Sequence, residues 1–125
     1  MTTTYDNSKV ILSGIYSDVT VTIPAKTTYQ EGTILGVDKT SGKITAYESS
    51  TCEYPGYVLA QTITNDDNSA VELSMIKVAE DCEVNKDKII FVNEADTLTY
   101  KMALVLNANN IKCVPVLEET TDGIL

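Results

Sequence analysis

The stretch Asp18-Val19-Thr20-Val21-Thr22-Ile23 alternates strictly between polar and apolar residues, and Pro24 stops it. A period of two places Val19, Val21 and Ile23 on one face of an extended strand and nowhere coherent on a helix. Proline cannot donate to a sheet ladder, so the strand ends there. A second stretch makes the same demand. Glu31-Gly32-Thr33-Ile34-Leu35-Gly36-Val37-Asp38 is followed by Ser41-Gly42-Lys43-Ile44. It reads as a strand, a tight turn and a strand, with Gly42 suited to a positive φ angle. The expected hairpin joins Thr33–Asp38 to Lys43–Tyr47. Abundant threonine, with Val, Ile and Tyr, suits pleated, half-buried surface, so the fold class expected is mainly β.

The rest of the chain reads in the same terms. Met1 to Ser8 is polar and Thr-rich without periodicity, which suits a mobile arm, and Lys9 to Gly14 could form a short strand. Glu48 to Pro55 reads as a polar loop. Tyr57 to Ile63 is a mostly apolar run, hence a buried strand. Asn65-Asp66-Asp67-Asn68 is a turn signal. Ala70 to Val78 follows, with Val71, Leu73 and Met75 alternating with Glu72 and Ser74. These last two strands are expected to pair as a long hairpin, and Lys88 to Val92 to form a short strand.

The period then changes. Leu98, Met102, Val105 and Leu106 recur at helical spacing, which predicts one helix over about 97–108. Asp96 is the expected cap, Glu94 favours the positive end, and Asn109-Asn110 can take the left-handed turn that closes it. Ile111 to Leu117 returns as a strand, and Pro115 puts it on an edge. The organisation expected is an N-terminal arm over 1–17, a β-rich domain over 18–117 and an acidic tail over 118–125. At 125 residues the chain suits one domain.

Charge removes several functions. The net charge is −9, with no histidine and no arginine. Phosphate backbones and anionic membrane surfaces attract clustered Lys or Arg, so neither nucleic acid nor membrane is expected as a partner. No apolar run approaches the ~20 residues of a membrane span, and no signal peptide is visible at the N-terminus. Cys52, Cys82 and Cys113 form no CxxC pair and have no histidine to complete a zinc site. The expectation for them is buried free thiols in a reducing compartment. Cys52 sits beside Glu53, which disfavours a thiolate nucleophile. Asp66-Asp67 could in principle act as a catalytic carboxylate pair. Their place in a turn has a conformational explanation. Asn65 to Asn68 could offer oxygens to calcium, but the spacing is not that of an EF-hand. Glu80-Asp81-Cys82-Glu83 reads as a solvated loop. Lys77 can pack its stem and reach water, or pair across a subunit interface. No cofactor or metal is expected.

In order, Val19–Ile23, Gly32–Gly36, Gly42-Lys43, Pro55–Leu59, Val71–Lys77, the helix and Ile111–Val116 are similar to the head decoration, or capsid cement, proteins of tailed bacteriophages. Tyr57 stands where such proteins usually carry glycine. Val78 follows Lys77 where they carry another, and Asn110 replaces a third. The resemblance implies a small β-barrel or β-clip-like domain and a structural, non-enzymatic role. It implies a homotrimer at threefold sites on the exterior of the expanded head, bound to the major capsid protein and made in the host bacterial cytoplasm. Such a trimer holds the shell against the pressure of packaged DNA. The N-terminal arm becomes ordered there and adds a strand to coat-protein β-structure.

On that reading Tyr5, Val10, Ile11, Leu12, Ile15 and Tyr16 are the expected capsid contacts. Val10 to Leu12 could equally be an ordinary edge strand of the domain. Two other functions stay open on sequence. One is a small β-barrel carbohydrate-binding or adhesion module on a virion or cell surface, using Tyr54, Tyr57 and the acidic turn. The other is a hydrolase using Asp66 and Asp67.

Overall fold

A computed structural model describes residues 9–114. The expected arm residues Met1–Ser8 and the tail 118–125 lie outside the described residues, as does the strand extension 115–117. Eight strands run β1 (Ile11–Ile23), β2 (Thr27–Tyr29), β3 (Ile34–Asp38), β4 (Ile44–Ala46), β5 (Cys52–Val58), β6 (Ile63–Asn65), β7 (Val71–Asn85) and β8 (Ile111–Val114). One α-helix, α1 (Tyr100–Ala108), is found among the described residues. The main sheet has the order β5-β3-β4-β1-β7-β8, and β2 pairs with β6 in a second, two-stranded sheet. Just past β5, Leu59 bridges to Val78 of β7, and the Ala60 N–H donates to the Lys77 carbonyl at 2.9 Å. That link curls β5-β3-β4-β1-β7 into a nearly closed barrel, with β8 on its flank. The mainly β fold with one late helix is as the sequence predicts.

The core divides in two. Val21, Ile23, Leu35, Leu59, Ile63 and Val78 fill the barrel interior. Val10, Ile34, Cys52, Val58, Val84, Leu106 and Ile111 form a second cluster under α1. The Val19-Val21-Ile23 face points inward as expected, with Val21 and Ile23 fully buried. The β3–β4 hairpin forms, pairing Leu35 with Ala46 and Val37 with Ile44, and Gly42 takes φ +73° in its turn.

Other expectations are corrected. The strand after Tyr57 does not form a hairpin with the strand after Asn68. β6 pairs with β2, while β7 pairs with β1 along nearly its whole length. The reason is in the turn: Asn65 is buried, and its side-chain amide donates to the carbonyls of Ile23 (3.1 Å), Pro24 (2.9 Å) and Ser69 (3.0 Å). That side chain ties the loop to the end of β1 and steers β7 back along it. β5 begins at Cys52, inside the expected polar loop, and Cys52 is buried. β7 continues to Asn85, so Glu80–Glu83 is strand and not loop. Lys88–Val92 is a 3-10 turn (Lys86–Lys88) followed by a single bridge from Ile90 to Thr33.

Met75, which continues the Val71 and Leu73 alternation in sequence, is 71% exposed. It stands at φ +60°, where Ser74 and Met75 of β7 oppose the single Thr20 of β1, so a bulge brings Ile76 inward in its place. The helix begins at Tyr100, and its cap is Thr99, whose hydroxyl accepts from the Met102 N–H at 3.2 Å. Asp96 accepts instead from the Ser49 N–H at 3.2 Å. Asn110, at φ +63°, closes the helix as expected.

Candidate functional site

The first half of β1 is built differently from the second. Ile11 lies opposite Val84, and the pairing runs on through Ser13–Glu83, Ile15–Glu80, Tyr16–Ala79 and Asp18–Lys77. Gly14, at φ +121°, faces a second bulge in β7 at Asp81, φ +49°. A Cβ at Gly14 would stand 2.4 Å from the Asp81 carbonyl oxygen and 2.6 Å from Cys82 Cα, so only glycine lets the two strands meet here. The Cys82 thiol donates to the Ile15 carbonyl at 2.7 Å.

Beyond that crossing the ribbon is wet on both faces. Ile15 is 57% exposed and Tyr16 51%. Neighbouring strand residues point to opposite faces, so an apolar side chain is offered on each. The other edge of β1 is also open. β4 meets it at one register position, Val21 with Ile44, and among the described residues no strand pairs with that edge from Ile11 to Thr20. An unpaired edge offers a row of N–H and C=O groups to an added strand.

The six expected contact residues therefore separate. Ile15 and Tyr16 are exposed together on the open-edged segment. Ile11 and Leu12 are half-buried in strand β1, within the span first assigned to the arm. Val10 belongs to the core cluster under α1. Val10 directly precedes the strand, and Ile11 pairs with Val84 of β7. Tyr5 lies outside the described residues. The start of the strand is held by Asn85, which is fully buried: its N–H donates to the Val10 carbonyl and its side-chain amide to that of Lys9. Sequence reasoning passed over Asn85, although an Asn ending a long strand is the residue type that can satisfy an adjoining backbone.

A second surface feature is an open groove of about 760 Å³ between β5 and α1. Val37, Tyr54 and Tyr57 line it with Asp38, Glu53 and Glu80. Asp66 and Asp67 are not among its lining residues, so the tyrosines and the acidic turn proposed for glycan binding do not share this groove. The side-chain oxygen of Asn65 accepts from the Asp67 N–H at 2.9 Å, so the turn uses its polar atoms on itself. Among the described residues no group of three or more His, Cys, Asp or Glu is placed to hold a metal ion.

The titration shifts are structural in origin. Burial pushes the Tyr29 and Tyr47 phenols and the Cys82 and Cys113 thiols up. Asp38 is held below the usual carboxylate range because it accepts backbone N–H bonds from Ser41 and Thr40, both 2.8 Å.

The comparisons with known proteins fit this picture. The family model for bacteriophage lambda head decoration protein D matches residues 2–111, nearly the whole chain. The chain belongs to that family. Curated proteins give no match. A head decoration protein is a structural component of the phage capsid. The match reaches back to residue 2, so the family pattern includes the segment leading into β1 as well as the barrel.

Proposed function

We propose that this head decoration protein is a cement that binds the exterior of the expanded phage head as a trimer at threefold sites. There it reinforces the shell against internal DNA pressure. The observation that carries the reading is the open edge of β1 with Ile15 and Tyr16 exposed on its two faces. Such a segment suits strand addition, in which main-chain hydrogen bonds supply affinity and alternate side chains supply specificity. The coat-protein contact would then be residues 1–8 continued by the first half of β1. Val10 and Asn85 form the fixed root. Ordering the leading residues costs about 1–2 kcal/mol each, so three tethered contacts per trimer hold better than one. The acidic surface, at net −9, suits a protein partner and not packaged DNA.

The test is sedimentation of the protein with expanded, undecorated capsids of its source phage. The full chain is compared with a version lacking Met1 to Ser8, which keeps Val10 in the core. Saturation by the full chain at three copies per threefold site, and loss of binding on truncation, is the expected result. No binding by the full chain defeats the reading.

A further inference from the structure

Asp and Glu number 18 in this chain, yet none stands between Asp96 and Glu118, where the charged residues are Lys101 and Lys112. Helix α1 lies inside that window. Its inner side packs through buried Leu106 and half-buried Met102 on the second core cluster. Tyr100 and Leu104, four residues apart, share the outer side. They are 81% and 50% exposed, with Lys101 beside them. With exposed Asn107 one turn further on, this is a carboxylate-free helix face carrying two exposed apolar side chains on an otherwise acidic molecule.

We propose that this face joins copies of the chain, with Tyr100 and Leu104 of one copy seated in the acidic groove of the next. The count of three rests on the cement reading, while the contact itself rests on the two faces. Copies at −9 repel through most of their surfaces, so association needs a carboxylate-free face against a carboxylate-bearing one. The groove supplies the second. Val37 and Tyr54 expose apolar surface there, rimmed by the carboxylates Asp38, Glu53 and Glu80 against one ammonium, Lys39. The contact is head-to-tail, because each copy gives a helix and receives one. Val105 of α1 and Asn109, just past its end, line the same groove, so the two faces are neighbours on one copy. Neighbouring faces close a small ring, whereas a straight filament needs opposite ones.

The test reads the number of associated chains by sedimentation velocity of the free protein and by chemical cross-linking on decorated capsids. The wild type is compared with Leu104→Asp, Val37→Asp and Tyr100→Asp. Tyr100 is the first helical residue, where a carboxylate favours the helix, so its variant should remain folded. Expected is a three-chain species for the wild type in at least one setting and single chains for all three variants, with capsid occupancy reduced at least tenfold. A three-chain species that persists in Tyr100→Asp or Val37→Asp overturns the proposal. So does a wild type that stays single-chain in both settings. A wild type that associates but binds no capsid defeats the cement reading and leaves this contact standing.

Discussion

The backbone N–H of Asn85 donates to the Val10 carbonyl at 2.7 Å, joining the last residue of β7 to the residue that leads into β1. The Asn85 side chain adds a bond to the Lys9 carbonyl at 3.1 Å and accepts from the Asp87 N–H at 3.0 Å. One buried side chain therefore sets both where the leading segment departs and how β7 turns out of the sheet.

Asn85→Ala removes those side-chain bonds and leaves two part-buried backbone groups without them. The expected cost is about 1–3 kcal/mol, measured as a lower urea midpoint with an unchanged slope. Limited proteolysis should also cut faster after Lys9 in the variant. An unchanged midpoint would show that Asn85 is not the anchor described.

Gly14→Ala should be more damaging than its size suggests. The position combines φ +121° with a Cβ that would stand 2.4 Å from a backbone oxygen. The strained conformation alone costs about 1–3 kcal/mol, and the clash adds to it because the obstructing atoms are backbone. A loss of at least about 2 kcal/mol is expected in chemical denaturation. Gly42→Ala, also at positive φ but with open space around its Cβ, should cost less. Equal losses at the two sites would contradict the close crossing of β1 and β7.

Acid should loosen the β3–β4 turn at a defined point. Asp38 accepts from the Ser41 and Thr40 N–H groups, and its folded pKa is depressed for that reason. A depressed carboxylate contributes stability above its unfolded pKa, about 3.9, and that contribution is lost as pH falls through the folded value. The turn should therefore be intact at pH 5 and titrate only below the ordinary Asp range. NMR titration of the Asp38 carboxyl carbon and the Thr40 and Ser41 amide protons should give one shared midpoint under about 3.9. A midpoint at or above that value would remove the role given to Asp38.

Sequence alone revealed the elements whose signal is local. The Val19-Val21-Ile23 alternation, the Gly42 hairpin and the Met102, Val105 and Leu106 spacing each depend on neighbours within a few residues, and each formed, although the helix starts only at Tyr100, past Leu98. What stayed hidden depended on distant partners. The pairing of β7 with β1 was masked because Asn65–Asn68 looks like a hairpin turn until Asn65 is seen bonding to Ile23 and Pro24. Met75 continues the Val71 and Leu73 alternation in sequence, and a bulge leaves no mark in that apolar pattern. Of the expected contact residues, Ile15 and Tyr16 stayed exposed, while Val10 was claimed by the chain's own core. An apolar side chain near an N-terminus is equally suited to either, and only the β7 partner decides.

Ile15 and Tyr16 carry the last prediction, because they separate stability from binding. Both are more than half exposed, and they extend from opposite faces of an open-edged strand. Exposed apolar side chains add little to folding, so Ile15→Ser and Tyr16→Ser should each move stability by no more than about 0.5 kcal/mol. If the segment receives a coat-protein strand, each side chain is buried on binding. Losing it should then weaken capsid affinity by about 1–3 kcal/mol, roughly five- to 150-fold. The double variant should approach the truncation lacking Met1 to Ser8. Binding isotherms on undecorated capsids, read beside urea midpoints, check both halves. Unchanged affinity in the double variant, with the truncation still inactive, would move the whole contact onto residues 1–8. A fall in stability matching the fall in affinity would mean that Ile15 and Tyr16 hold the fold and not the capsid.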